Sequence, residues 1–87
     1  MSKLKTIEKI KFEKLFGMES GYVLDFSNFT FQEFVLENVN IDIYAEKYNF
    51  RSGSKANRLR AFWEKESYSV VATLNKALLE YWKTLKI

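Results

Sequence analysis

The stretch SKANRLRAFWEKESYSVVATLNKALLEYWKTL, Ser54 to Leu85, decides the fold. In its first part Ala56, Leu59, Phe62 and Trp63 fall on one helical face, with Ser54 placed as an N-cap, which predicts a helix over 55–66. Ser67 breaks the pattern. Beyond it Val71, Leu74, Leu78, Tyr81 and Leu85 alternate spacings of three and four, with Val70, Ala77 and Trp82 beside them, predicting a helix over 68–85. A stripe that long in so small a chain is needed for the chain's own core, so it reads as a core face and not as a dimer seam.

Upstream, the same periodicity predicts two more main helices. One spans about 3–16, with Ser2 as its cap, Leu4, Ile7, Phe12, Leu15 and Phe16 on its apolar face, Ile10 at the edge of that face, and Gly17 as its stop. Thr30 with Glu33 reads as a capping box for a helix over 31–38, with Phe29 stapled onto Phe34. Between them, 18–28 lacks helical period and reads as an ordered connector pinned by Tyr22, Leu24 and Phe26. Asp42 caps a short helix over 43–48, and RSGS at 51–54 is a turn. The expectation is a single all-α domain, a compact bundle of four main helices plus one short helix with an irregular connector after the first.

Composition narrows the chemistry. The chain has 87 residues with 47% hydrophobic and 29% charged types, which suits one folded globular core. Fifteen aromatic residues supply the apolar bulk that staples provide in other small domains. Cysteine and histidine are both absent, which removes disulfides, thiolate and imidazole metal ligands and the usual general base. No cofactor or metal is expected. No window holds the roughly 20 apolar residues of a membrane span, and the charged start has no apolar leader core, so a cytoplasmic protein without a membrane partner is expected.

The net charge of +3 conceals blocks: +3 over 1–16, −5 over 17–50, +4 over 51–65 and +1 over the remainder. Within the basic third block Arg51, Lys55, Arg58 and Lys65 lie within about 80° on a helical wheel, and Arg60 flanks the opposite edge of the apolar face. Such a strip is either a solvated face, a contact for an acidic protein, or a phosphate-backbone site helped by amides of the SGSK turn. SGSK is not a phosphate loop, because the spacing and the preceding strand of that motif are missing. The acidic block pairs Glu33 with Glu37 and Asp42 with Glu46 at helical spacing. These are solvated faces or a contact for a basic surface; acid/base work or Mg²⁺ binding would require a pocket and a third ligand that the pattern does not supply. Tyr44, Tyr48 and Trp82 are either aromatic anchors at an interface or core members.

The runs GYVLDFSNFTFQEFV (21–35), NIDIY (40–44), SGSKANRLRAFWEKES (52–67) and ALLEYW (77–82) resemble a small module at the N-terminal regions of bacterial multidomain proteins, many in phage-defence or abortive-infection settings. The resemblance covers about 15–82, and its most distinctive part is 52–66. It implies a helical accessory module joined to an effector, without catalytic residues to carry over. The expected function is therefore a non-enzymatic protein-interaction module, acting on itself or on the rest of a parent chain. A nucleic-acid-binding module using the basic strip is the first alternative, and a small enzyme using the carboxylate pairs is the second.

Overall fold

Ser27 starts the second helix, three residues upstream of the expected cap. Its hydroxyl accepts the Thr30 N–H at 3.2 Å, while Thr30 Oγ1 accepts the Ser27 N–H at 2.9 Å. The capping box is thus Ser27 with Thr30, and Glu33 has no part in it. In this computed structural model, which describes residues 4–86, the helices are α1 (Thr6–Leu15), α2 (Asn28–Val39), α3 (Lys55–Lys65) and α4 (Tyr68–Leu85). The chain is an all-α bundle, 69% helical, with no strand among the described residues.

Each helix end has a local cause. Glu8 of α1 reaches back to accept the Lys5 N–H at 2.9 Å, so Lys5 stands at the cap position; the expected cap, Ser2, lies outside the described residues. Gly17 stops α1 with φ +65°, a left-handed conformation that costs glycine little. Ser54 caps α3 as expected, accepting the Asn57 N–H, and Ser67, expected as a break, also caps α4 by accepting the Val70 N–H. The short helix expected over 43–48 shrinks to a 3-10 turn at Glu46–Tyr48. Asp42 caps a turn and not a helix there: its Oδ1 accepts the Tyr44 N–H at 2.9 Å and the Gln32 side-chain amide at 2.9 Å.

The connector after α1 is ordered, as expected, but of its expected pins only Phe26 is buried. It contains a 3-10 turn at Met18–Ser20 between two left-handed glycines, and its anchors are Met18, Val23 and Phe26, all buried. Tyr22 points outward, and Leu24 is half-buried with φ +51°.

α3 and α4 form the centre. Ala56, Leu59, Ala61, Phe62 and Trp63 of α3 pack with Val71, Leu74 and Leu78 of α4, all buried. Burial of such side chains is worth roughly 1.5 to 3 kcal/mol each before entropy is counted. Trp63 meets the ring of Phe12 of α1 in a tilted contact and donates its indole N–H to Asn75 Oδ1 at 3.0 Å, which ties α1, α3 and α4 at one point. Asn75 is 3% exposed, and its Nδ2 has no acceptor among the described residues. A second aromatic cluster, Phe26, Phe31, Phe34 and Tyr81, joins the connector and α2 to α4, and the Tyr81 hydroxyl donates to Asp25 at 2.6 Å.

α1 and α2 flank α4 on different sides. Leu4, Glu8 and Phe12 share a cleft with Tyr68, Ala72, Asn75, Lys76 and Leu79, whereas Phe34 and Asn38 share one with Ala77, Glu80, Tyr81 and Thr84. On a wheel at 100° per residue those two sets of α4 positions are about 150° apart.

Because the Ser27–Thr30 box opens α2, Ser27→Ala and Thr30→Ala should each cost about 0.5 to 2 kcal/mol in urea denaturation, and Glu33→Ala should cost close to nothing. Equal losses at Thr30 and Glu33 would return the helix start to position 30.

Candidate interaction surfaces

The five cations of the expected basic strip have different fates. Arg58 turns inward: its Nε–H donates to the Gly53 carbonyl at 3.0 Å, and Nη1 donates to the carbonyls of Ile43 at 3.2 Å and Ala45 at 3.4 Å. Its guanidinium covers the Tyr44 ring at 4.5 Å from the centroid. Lys55 is buried, donating to Asn28 Oδ1 at 3.3 Å and lying 4.6 Å over the Tyr22 ring. Arg60 forks onto Glu13 of α1 at 3.1 and 3.2 Å and donates to Asn57 at 2.8 Å. Only Arg51 and Lys65 of the five stand exposed.

Of the SGSK amides expected to help hold an anion, the Gly53 N–H donates to the Phe50 carbonyl at 3.0 Å and the Ser54 N–H to Ser52 Oγ at 3.4 Å, and two amides beyond the turn are engaged as well. The Ala56 N–H donates to the Gly21 carbonyl at 3.1 Å and the Asn57 N–H to Ser54 Oγ at 3.2 Å. The first turn of α3 therefore closes on protein groups, and the strip does not form one open anion-binding face.

The aromatic candidates divide similarly. Tyr48 is a core residue, fully buried, with its ring against Phe62 and its hydroxyl donating to Glu66. Tyr44 is half-buried, its hydroxyl donating to Asn28 Oδ1 at 2.8 Å; burial raises its phenol above the ordinary value, with Arg58 pulling the other way. Trp82 is half-buried beneath the Lys86 ammonium, 5.5 Å from the centroid.

The acidic candidates remain outside. Glu33, Glu37, Asp42 and Glu46 are all exposed. Asp42 holds its turn, and Glu46 accepts from the Asn49 side chain at 3.5 Å. Glu33 and Glu37 make no ion pair among the described residues. No group of three or more acidic side chains that could hold a metal forms among the described residues.

Beside those two carboxylates stand residues that sequence reasoning placed elsewhere. Phe29, expected as a staple on Phe34, is 65% exposed, and Leu36 is 42% exposed. With α2 starting at Asn28, Phe29, Glu33, Leu36 and Glu37 fall within about 100° on the outward face. The serine three residues before Thr30 was the signal that would have placed Phe29 there.

α1 carries a second such face. Ile7 and Ile10 are 56% and 47% exposed, opposite the core-facing Phe12 and Leu15, and Ile7 is thus absent from the core face expected for it. Lys11 and Lys14 share the outward side with them, exposed and without an ion pair among the described residues. A groove of about 390 Å³ between α1 and α3 is floored by Ala61 and Trp63 and edged by Phe50. Its rim charges pair across it, Lys9 with Glu64 at 3.2 Å and Arg60 with Glu13 at 3.1 Å.

Comparison with family models, with curated proteins and with solved structures finds no match to this chain. Among the described residues no helix is long and apolar enough to cross a membrane.

Two outcomes follow from the internal contacts. Arg58→Ala should cost about 2 to 3 kcal/mol, since three carbonyls lose their donor, and Arg58→Lys should recover little because an ammonium lacks the fork. Arg51→Ala and Lys65→Ala should each stay within about 0.5 kcal/mol by thermal or chemical unfolding. The second concerns pH. Burial, then the hydrogen bond and charge of Glu66, raise the Tyr48 phenol well above its ordinary 10.0. That contribution to stability is present below the unfolded value and is lost as pH rises through the folded one. The same hydrogen bond, followed by Lys47, lowers the Glu66 carboxyl from 4.5 against the opposing effect of burial, so its contribution holds above 4.5 and is lost as pH falls through the lowered value. Tyr48→Phe should flatten the alkaline fall in melting temperature and weaken the acid one; an unchanged alkaline profile would contradict the contact.

Proposed function

We propose that this chain is a non-enzymatic protein-interaction module whose contact surface is the outward face of α2. The observation that carries this reading is Phe29, a phenylalanine 65% exposed in an ordered helix, with Leu36 two turns along the same face and Glu33 and Glu37 between and beside them. A large aromatic side chain flanked by an aliphatic one and a charged rim has the composition of a protein-binding patch. Scattered single apolar side chains on a surface carry no such meaning, but two on one helical face with unpaired carboxylates do.

The rival readings have less support. Backbone-phosphate binding needs several cations presented together, whereas Lys55, Arg58 and Arg60 hold parts of the fold in place. Acid/base or metal chemistry needs convergent groups in a concavity, and the carboxylate pairs lie on exposed helix and turn surface. The resemblance of 52–66 to accessory modules of bacterial defence proteins agrees with an interaction role, with an effector as the coupled element.

A photoreactive phenylalanine analogue placed at position 29 in cells of the native host should give a discrete protein adduct, and one placed at the exposed Thr73 of α4 should not. Glu33→Lys with Glu37→Lys should remove the adduct. Equal labelling from both positions, or none from either, would refute a contact surface on α2.

A further inference from the structure

The outward faces of α1 and α2 are each partly apolar and carry opposite charges. α1 shows Ile7 and Ile10 with Lys11 and Lys14; α2 shows Phe29 and Leu36 with Glu33 and Glu37. Laid parallel with Ile7 opposite Phe29, a constant offset sets Lys11 opposite Glu33 and Lys14 opposite Leu36, one residue from Glu37. Laid antiparallel with Ile7 opposite Leu36, the same faces set Lys14 on Phe29 and leave Glu37 without a cation.

From this match we propose that the occupant of the α2 face is the α1 face of a second copy of the same chain. The proposal rests on the reading of α2 as a contact surface and names the partner. The two faces do not meet within one copy, because α1 and α2 pack against positions of α4 about 150° apart and none of the residues of either face lines the clefts that Phe12 and Phe34 share with α4. For the same reason two copies cannot make both contacts with each other at once. Each copy offers one face of each kind, so the contact is heterologous and the assembly runs head to tail, growing into a ring or a filament according to the rotation per copy.

The cations suited to this contact are those of α1, since three of the five in the basic third block hold the fold together. Lys11, Lys14, Glu33 and Glu37 are all exposed and make no ion pair among the described residues. Four apolar side chains between 42% and 65% exposed supply the area that is removed from water, and the charges set register and orientation. One pair of helix faces makes a small interface, so association belongs in the weak, concentration-dependent class.

Sedimentation velocity of the whole chain at low salt and about 500 μM, above the micromolar range typical of small interfaces, tests this. Wild-type protein should show species larger than dimers that dissociate on dilution. Lys11→Glu with Lys14→Glu should weaken association by about tenfold or more, and Glu33→Lys with Glu37→Lys should do the same, both with unchanged circular dichroism. The four-fold exchange, carrying both reversals in one chain, should restore association because the signs match again. Phe29→Ser should abolish it in the wild-type and exchanged backgrounds alike. A folded wild-type protein that stays monomeric at that concentration overturns the second copy as occupant. So does a folded four-fold variant that fails to reassociate. A heterologous protein crosslinked at position 29 from a chain that is monomeric in solution would leave the α2 surface standing and the self-association refuted.

Discussion

Residues 40–54 have the least regular backbone between two helices, and their carbonyl groups require donors that no helix of their own supplies. Arg58 supplies them, reaching from the first turn of α3 to the carbonyls of Ile43, Ala45 and Gly53. Buried backbone acceptors are nearly always paired, and one planar guanidinium with several N–H groups can serve three of them where an ammonium cannot maintain the same geometry. Gly53 fits this arrangement: its φ is +73°, and a Cβ there would meet Asn49 Oδ1 at 2.8 Å. Once this segment is pinned, Tyr48 enters the core against Phe62, and Tyr44 bridges to Asn28 at the start of α2. Arg60 does the same work on the other side, holding Glu13 of α1 and the carbonyl of Met18.

The cations of α3 are therefore internal fasteners of an irregular chain, and this explains which parts of the molecule could be read from sequence. The apolar faces of α3 and α4 were legible because burial imposes a period that the residues display directly: Leu59, Phe62, Trp63, Val71, Leu74 and Leu78 are all in the core. The cap at Ser54 was legible for a similar reason, a single residue type meeting a local need. Arg58 and Lys55 were not, because a wheel gives the direction of a side chain's root and not where a long stem ends. The start of α2 was ambiguous between two overlapping boxes, Ser27 with Thr30 and Thr30 with Glu33, and choosing the second hid the exposed position of Phe29.

α1 shows the limit of periodicity most clearly. Its apolar residues occupy both sides, Phe12 and Leu15 toward α3 and α4, Ile7 and Ile10 toward solvent. A helix whose few apolar residues are spread around its circumference gives no unique inner face, and the sequence reading chose one too broad. What fixed its orientation is tertiary: the ring of Phe12 stacks on Phe16 and meets Trp63, and Glu13 meets Arg60.

Apolar residues left over after a core is complete carry information of their own. In a domain of this size every buried side chain counts, so two isoleucines kept outside α1 and a phenylalanine and leucine kept outside α2 forgo burial worth roughly 1.5 to 3 kcal/mol each. The fold offers no inner place for them, since the positions facing the core on each helix are already filled by Phe12, Leu15, Phe31 and Val35. Polar substitutes at the four outer positions would leave the monomer as stable and more soluble. Their apolar character is accounted for when the water they face is displaced by another surface. Cations on one helix and carboxylates on the other then give each face a reason to choose its opposite over its own kind.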